Sequence, residues 1–565
     1  MNKKRKGIMF SNKDNVNILT ALLIQHNITD IVVCPGSRNS ALVHNFCEAE
    51  DMVCYPVTDE RSAAFFAVGV SLAKHKPVVV CVTSGSALLD VAPAVAEAYY
   101  QNVPLIVISA DRPAQWIEQG DGQTMPQANV LSPFVRKSVN LPEPKDEEEH
   151  WFCNRLVNEA LIECSRMEYG PVHINVPISE PLFNYDVEKL PLERKITCSQ
   201  QINDSNAARK IVENIGKCDR PLIVIGQEAR NRMEAVKHEI NALRKRFVIV
   251  QDKLSDATEA EPQAIDALLA STDNIEALRP DLIIYMGGTI VSKLLKRFLR
   301  NSNPEHSILI DPRGEIRDTF MNLTDAVQCS TIDFIKLLAT ETKAIKSSNY
   351  YNLWQKEGQR VGNIAKNYVP TYSQMLATKL FHEKLNQYKV ERQVVYGNSS
   401  AVRLGNFYSS DYIFVNRGVN GIDGSLSTAV GLAAANPTVK TFCIIGDLSF
   451  FYDQNALWNN NLHKNLAILL LNNSGGGIFL QLPGLEKSAH RATIMGSGLP
   501  VTAQGACQTH GIHYLSATNS KELKTGLEQF FNQKDSPILL EIFTDTATDA
   551  AAWQTFNEEI KKNNK

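Results

Sequence analysis

The residues best suited to chemistry stand where two apolar runs stop. "KTFCIIGD" ends on Gly446 and Asp447, and "LAILLLNNSGGGIF" passes through Asn472, Asn473 and Gly475 to Ile478 and Phe479. Asn473 follows Asp447 by 26 residues. That gap fits one βα unit, with the helix drawn from "DQNALWNNNLH", so the two strand ends can lie side by side. Open parallel sheets bind ligands beyond their carboxyl edge. A carboxylate, an amide oxygen and a glycine-exposed carbonyl suit Mg2+ or Ca2+ and not zinc. Three such oxygens leave about three octahedral positions, enough for two diphosphate oxygens and a water. "GDLS" also opens a helix, whose N-terminus favours anions. Alone, "NNSGGG" reads more readily as a flexible turn; its pairing with "GD" at this spacing favours the ligand site.

Other loops that follow strands are polar and cationic. "CPGSRNSA" offers Ser37 and Arg38, and "SADRPAQWIEQGDGQTMPQ" offers Arg112 and Gln123. "GNSSAVRL" offers Ser399 and Arg403, and "NRGVNGIDGS" offers Arg417. One arginine is ordinarily a surface charge. Four on four strand-following loops imply an anionic substrate with several carboxylates.

Parallel strands must position these loops. "DIVVC", "VCYPV", "PVVVCVTS" and "PLIVISAD" are short apolar runs of the kind buried in parallel sheets. "ERSAAFFAVGVSLAKH", "ALLDVAPAVAEAYYQ" and a charged stretch near 145–168 read as helices between and after them, leading to "GPVHINVP". The alternation recurs in "RPLIVIGQ", "FVIVQD", "PDLIIYMGG" and "HSILIDP". It recurs again in "QVVYGNSS", "YIFVNRG", "KTFCIIGD", "LAILLLNN" and "PILLEIFTD". The pattern predicts an α/β protein of three doubly wound parallel-sheet domains, at 1–190, 200–345 and 365–565. "YDVEKLPLERKITCSQQ" reads as a linker. The last 80 or so residues, "FTDTATDAAAW" included, carry no assignable motif.

The 565 residues exceed one core. At 44% hydrophobic, 21% charged and net charge −3, the chain has no feature calling for nucleic acid or a membrane surface. "MNKKRKGIMF" is basic without a following apolar h-region, and no apolar run approaches the ~18 residues of a spanning helix. A cytoplasmic protein is expected. The 11 cysteines include no C-x-x-C, so buried free thiols such as Cys34, Cys81 and Cys443 are expected. No G-x-G-x-x-G follows a first strand and there is no P-loop, which argues against NAD or ATP.

"CPGSRNSAL", "DERSAAFFAVG", "TSGSAL", "SADRP…GDGQTMPQ", "NRGVNGIDGSLSTAVGLA", "GDLSF" and "NNSGGGIF" occur in this order between about residues 30 and 485. Together they resemble the thiamine diphosphate-dependent enzymes. Within these they resemble the branch of menaquinone biosynthesis that adds 2-oxoglutarate, with loss of CO2, to isochorismate. The resemblance implies a pyrimidine-binding domain, a central Rossmann-like domain and a diphosphate-binding domain. It implies that Glu60 hydrogen-bonds N1′ of the aminopyrimidine and activates the cofactor; locally, Glu60 also suits an acidic first helical turn. Asp447, Asn473 and the Gly475 carbonyl would hold Mg2+, with Mn2+ a possible substitute. Gly446, Leu448, Ser449 and Ile478 would join them around thiamine diphosphate, and Ile422 would prop its bent shape. Leu448 replaces the glycine usual in the superfamily, in the form usual for this branch. Ser37, Arg38, Arg112, Gln123, Ser399, Arg403 and Arg417 would contact carboxylates and hydroxyls. Ile478, Phe479 and Leu482 would wall the pocket. Lys293 matches a lysine on the isochorismate side; some members have arginine next, where this chain has Leu294, and Lys296 or Arg297 could compensate. The resemblance further implies a homo-oligomer with active sites between subunits. The remaining alternatives are an acetolactate synthase-like or decarboxylase relative, which shares the GD…NN core, and a non-catalytic nucleotide-binding protein.

Overall fold

The computed structural model describes residues 9–166, 168–198, 215, 218–255, 264–343, 346–481, 484–496 and 500–562. Among these, residues within 1–200 join 418–438 and 452–466 in one compact unit. Those within 201–417 join 439–451 and 467–565 in a second. Three helix-flanked sheets make the protein a three-domain α/β fold.

In the first unit, β1 (Phe10–Ser11), β2 (Asp30–Val33), β3 (Val53–Pro56), β4 (Val78–Val82), β5 (Leu105–Asp111), β6 (Lys137–Asn140), β7 (Val172–Pro177) and β8 (Tyr185–Val187) are the strands. Six form a parallel sheet in the order β3-β2-β4-β5-β7-β6. β4 and β5 are buried along their whole length, which is why they are continuous aliphatic runs rather than alternating ones.

β1 pairs antiparallel with β8, so part of the expected linker is a strand. Its continuation is fastened to the helix Glu147–Ser165. Glu193 accepts from Asn154 Nδ2 at 2.7 Å and Asn158 Oδ1 accepts from Ile196 N at 2.8 Å. Residues 199–201 of the segment lie outside the described residues. "ALLDVAPAVAEAYYQ" is two helices, Ser86–Asp90 and Ala92–Gln101, not one. Pro93 cannot sit inside a helix but is tolerated in the first turn of a new one.

The helices Glu60–Lys74 and Ser425–Ala435 of this unit meet at backbone distance. A Cβ on Gly69 would lie 2.2 Å from the Thr428 carbonyl oxygen, and one on Gly431 would lie 2.2 Å from that of Phe66. Only glycine permits this approach. The contact fixes the helix that starts at Glu60 against the helix that follows the Ile422 loop.

In the second unit, β9 (Pro221–Ile225), β10 (Val248–Gln251), β11 (Leu282–Met286), β12 (His306–Asp311) and β13 (Asp325–Gln328) form a parallel sheet in the order β10-β9-β11-β12-β13. A six-stranded sheet has the order β15-β14-β16-β17-β19-β18, from β14 (Arg392–Tyr396), β15 (Ile413–Phe414), β16 (Lys440–Gly446), β17 (Leu466–Asn472), β18 (His513–Ala517) and β19 (Ile538–Phe543). β16 and β17 are neighbours, so their carboxyl ends do lie side by side. The crossover between them differs from expectation. It holds only the short helix Asp447–Tyr452 and a 3-10 turn, Gln454–Leu457, because "NNNLHKN" favours turns over a longer helix. Among the described residues no helix is long and apolar enough to cross a membrane. Cys34, Cys81 and Cys443 are buried, as expected.

Candidate active site

The second unit brings Asp447, Asn473 and Gly475 together. Asp447 is the first residue after β16 and is buried. Its Oδ1 accepts from Leu448 N and its Oδ2 from Gly475 N, both at 2.8 Å, so one carboxylate bridges two strand ends. Burial raises its pKa against these backbone donors. Beyond β17 the chain turns sharply: Ser474 adopts φ 58°, and Gly476 N donates to the Met495 carbonyl at 2.7 Å. A Cβ on Gly476 would stand 2.7 Å from the Phe479 ring, so the bare backbone is required sterically.

The two asparagines have different surroundings. Asn472 Nδ2 donates to Glu541 Oε1 at 2.7 Å and to the Val501 carbonyl at 2.8 Å, and its Oδ1 accepts from Ser474 N at 3.1 Å. It is a fully engaged turn residue. Asn473 Nδ2 donates to Asp549 Oδ2 at 2.8 Å, and among the described residues no donor reaches Asn473 Oδ1. A carboxylate that accepts from backbone N–H groups keeps further acceptor capacity. A carboxylate, an amide oxygen and the Gly475 carbonyl form an all-oxygen set that fits Mg2+ or Mn2+. Among the described residues no group of three or more His, Cys, Asp or Glu could hold a metal. Gly446 and Leu448, on either side of Asp447, are half-buried, as is Ile478 in the 3-10 turn after Gly475, and Ser449 is buried in the first turn after β16. Phe479 is half-buried in the 3-10 turn Gly477–Gln481, while Leu482 lies outside the described residues.

The same unit gathers cations. Arg417 is buried, and its Nη1 donates to Asn398 Oδ1 at 3.1 Å. Arg403 Nη1 donates to the Ser399 carbonyl at 2.6 Å, and Ser399 itself holds φ 66°, ψ −126°, an unusual conformation for a non-glycine residue. Burial lowers the pKa of Arg403, opposed by the charge of Asp266. Lys293, first in the helix Lys293–Arg300, is exposed, and Leu294 is 36% exposed. Lys296, one turn on, is half-buried. Its pKa is lowered first by burial and then by Arg417, while Asp252 raises it. Lys296 therefore shares the field of Arg417. Buried Asp252, which accepts from Val291 N and Asn406 Nδ2, supports this cluster from behind.

The first unit carries the other candidates. Glu60 opens its helix after Asp59, whose side chain accepts from Ser62 N at 2.8 Å. Burial raises the Glu60 pKa; its own backbone lowers it, and Asp90 and Asp59 raise it further. A carboxyl so held exchanges a proton nearer neutral pH than an exposed one. Arg38 is buried, donating to the Ile178 carbonyl at 2.9 Å and to Glu180 Oε1 at 3.0 Å, so part of its fork is already engaged. Ser37 beside it is exposed. Arg112 pairs with Asp121 at 3.3 Å and donates to the Gly122 carbonyl, and Gln123 is exposed with φ 55°. Ile422 is 38% exposed, two residues before Gly424, where a Cβ would strike the Phe65 ring at 2.2 Å.

Sequence reasoning missed Glu541 and Asp549. Glu541 is fully buried on β19 and gathers Asn472, Thr502 and Tyr514. Asp549 stands on the terminal helix Thr546–Lys562, within "FTDTATDAAAW". Glu541 is signalled only as an acid interrupting the apolar run "PILLEIF", and Asp549 by nothing beyond its place in the helix after β19.

Residues 14–131 match a family model described as the thiamine pyrophosphate enzyme N-terminal TPP binding domain, and 397–542 match its C-terminal TPP binding domain. The chain is 41% identical to a 2-succinyl-5-enolpyruvyl-6-hydroxy-3-cyclohexene-1-carboxylate synthase of Phocaeicola vulgatus, over 98% of this chain and 100% of that one. Proteins of the same description from Bacteroides thetaiotaomicron and Flavobacterium johnsoniae are 39% and 36% identical. They cover 98% and 94% of this chain and 100% and 96% of their own lengths. Among solved structures, benzoylformate decarboxylase from Polynucleobacter necessarius aligns with a TM-score of 0.69 at 17% identity, covering 94% of this chain and 99% of that one, which is a likeness of fold. By its identity to these relatives across nearly its whole length, the chain belongs to the 2-succinyl-5-enolpyruvyl-6-hydroxy-3-cyclohexene-1-carboxylate synthase family of thiamine diphosphate-dependent enzymes.

Proposed function

We propose that the protein joins 2-oxoglutarate to isochorismate with loss of CO2, giving 2-succinyl-5-enolpyruvyl-6-hydroxy-3-cyclohexene-1-carboxylate in menaquinone biosynthesis. The near-full-length identity to synthases of that name carries the reading. The oxygen set at Asp447, Asn473 and Gly475 supports it, as does the cationic group of Arg403, Arg417 and Lys296. Bound thiamine diphosphate would supply the carbanion chemistry that decarboxylates a 2-oxo acid.

The chain's own residues have the following parts. Asp447, Asn473 and the Gly475 carbonyl would hold Mg2+ or Mn2+, and Gly446, Leu448 and Ser449 would join them around thiamine diphosphate. Glu60 would hold a proton at the aminopyrimidine N1′, and its burial suits that task. Ile422 and Ile478 shape the cofactor's seat. Ser37, Arg38, Arg112, Gln123, Lys293, Ser399, Arg403 and Arg417 would receive the substrates' carboxylates and hydroxyls, and Phe479 would give an apolar wall. Two substrates that together bear four carboxylates would need such a cationic setting. Residues 1–190, 200–345 and 365–565 would be the pyrimidine-binding, central and diphosphate-binding domains. The working form would be a cytoplasmic homo-oligomer whose active sites combine two chains.

The test measures 2-oxoglutarate consumption by the purified protein with thiamine diphosphate and Mg2+, with and without isochorismate. Consumption that requires isochorismate is expected. Rapid decarboxylation of pyruvate, with no response to isochorismate, would overturn the reading in favour of an acetolactate synthase-like or decarboxylase activity.

A further inference from the structure

We infer that Asp549, on the terminal helix Thr546–Lys562, is a positioning residue that sets which atom of the Asn473 amide faces the cation. The inference rests on the reading that Asp447, Asn473 and Gly475 form the metal clamp.

An asparagine amide has two nearly isosteric ends, and only the oxygen can ligate a hard cation. A strand and a turn do not decide between them. Asp549 does. Its Oδ2 receives Asn473 Nδ2 at 2.8 Å and Thr544 Oγ1 at 2.9 Å, and its Oδ1 receives Gln374 N at 2.8 Å. With Gln374 N donating to Oδ1 and Thr544 Oγ1 to Oδ2, the Asp549 oxygens face Asn473 as acceptors, so the amide turns its NH2 toward them. Rotating it by half a turn would set two acceptor oxygens against each other. A Cβ on Gly477 would lie 2.7 Å from Asn473 Nδ2, so this end of the amide is packed between Gly477 and Asp549 and the hydrogen bond to Asp549 decides which atom occupies it. The opposite end, Oδ1, receives no donor among the described residues. Thr544 and Gln374 in turn hold the Asp549 carboxylate in place. Ligands to metals are oriented in this way by hydrogen-bonded partners behind them.

A neighbouring arrangement sharpens the contrast. Asn472 faces Glu541, but its oxygen is taken by Ser474 N, so its amide is spent on the turn. Two adjacent asparagines are thus oriented by two acids from the last 80 or so residues of the chain. One builds the loop and the other presents an oxygen.

The experiment follows the thermal shift produced by thiamine diphosphate as Mg2+ is titrated. It uses the full-length wild type, Asp549→Asn, and the double variant Asp549→Asn with Asn473→Asp. Asparagine at 549 keeps an oxygen for Gln374 N but turns NH2 toward Asn473. The Asn473 amide must then rotate and present NH2 to the cation. The Mg2+ concentration at half-maximal shift should rise about 10- to 100-fold, the usual cost of disrupting such a partner. The double variant exchanges amide and carboxylate while keeping their hydrogen bond, and again shows an oxygen to the cation; it should recover most of the loss. Wild-type Mg2+ dependence in Asp549→Asn would overturn the inference, and so would failure of the double variant to recover. A wild type whose melting ignores thiamine diphosphate with Mg2+ would instead overturn the parent reading, and this one with it.

Discussion

Asp447 Oδ2 accepts the main-chain N–H of Gly475 at 2.8 Å, so the side chain that ends one strand sets the conformation of the loop that ends its neighbour. The same carboxylate would be the charged member of the metal clamp. Asp447→Asn keeps the size but loses the charge, and its NH2 must oppose either Leu448 N–H or Gly475 N–H. Thermal stabilisation by thiamine diphosphate with Mg2+ should disappear. Chelation of the metal by EDTA should do the same to the wild type. Stabilisation that survives both would remove the metal from the account.

Glu60→Gln separates fold from function at the other acid. Glu60 is the first residue of its helix, and the capping bond from Ser62 N goes to Asp59, which the change leaves alone. Glutamine cannot cycle a proton. Turnover should fall by at least about 10²- to 10⁴-fold, the range for loss of a positioned acid–base group, with an unchanged circular dichroism spectrum. Turnover within a few-fold of wild type would refute the role of Glu60.

Gly431→Ala tests whether the helices of the first unit meet as closely as their glycines suggest. The new methyl would stand 2.2 Å from the Phe66 carbonyl oxygen, which is backbone and cannot swing away. Overpacking of this kind costs about 1–3 kcal/mol, hence several degrees of melting temperature. Gly505→Ala is the control, because a Cβ there meets nothing within 4 Å. Equal melting of the two variants would mean that the helices yield.

What could be read from the sequence was what physics writes locally. β4, β5 and β17 are buried throughout, so their residues are continuous aliphatic runs. β6, β13 and β18 escaped notice. They are edge strands, partly exposed, and "KSVN", "DAVQ" and "HYLSA" carry no such run. That Asp447 and Gly475 meet was legible because both stand at the ends of buried strands that are neighbours in one sheet. The Asn473–Asp549 bond spans 76 residues and leaves no periodic trace. Lys296 was offered only as a substitute, and its share in the field of Arg417 depends on the phase of one helix.

Asp453 gives the first unit a pH dependence with a definite sign. It is fully buried, and its two oxygens accept from Ser427 N at 2.8 Å and Ser427 Oγ at 2.7 Å, at the start of the helix Ser425–Ala435. Burial is the largest influence and raises its pKa to about 7, against the Ser427 donors and the charge of Arg61, while Asp423 raises it further. In the unfolded chain it would titrate near ~3.9. Below that pH both states hold the proton. Between about 4 and about 7 the unfolded chain sheds its proton while the folded one keeps it, so the contribution of Asp453 to stability declines as pH rises. It is lost above about 7. In Asp453→Asn the new amide cannot titrate, and it mimics the neutral acid: its oxygen accepts from Ser427 N and its NH2 donates to Ser427 Oγ. The melting temperature of Asp453→Asn minus that of wild type should therefore grow from pH 5 to pH 8. A difference that stays constant across that range would show that Asp453 keeps its ordinary pKa in the fold.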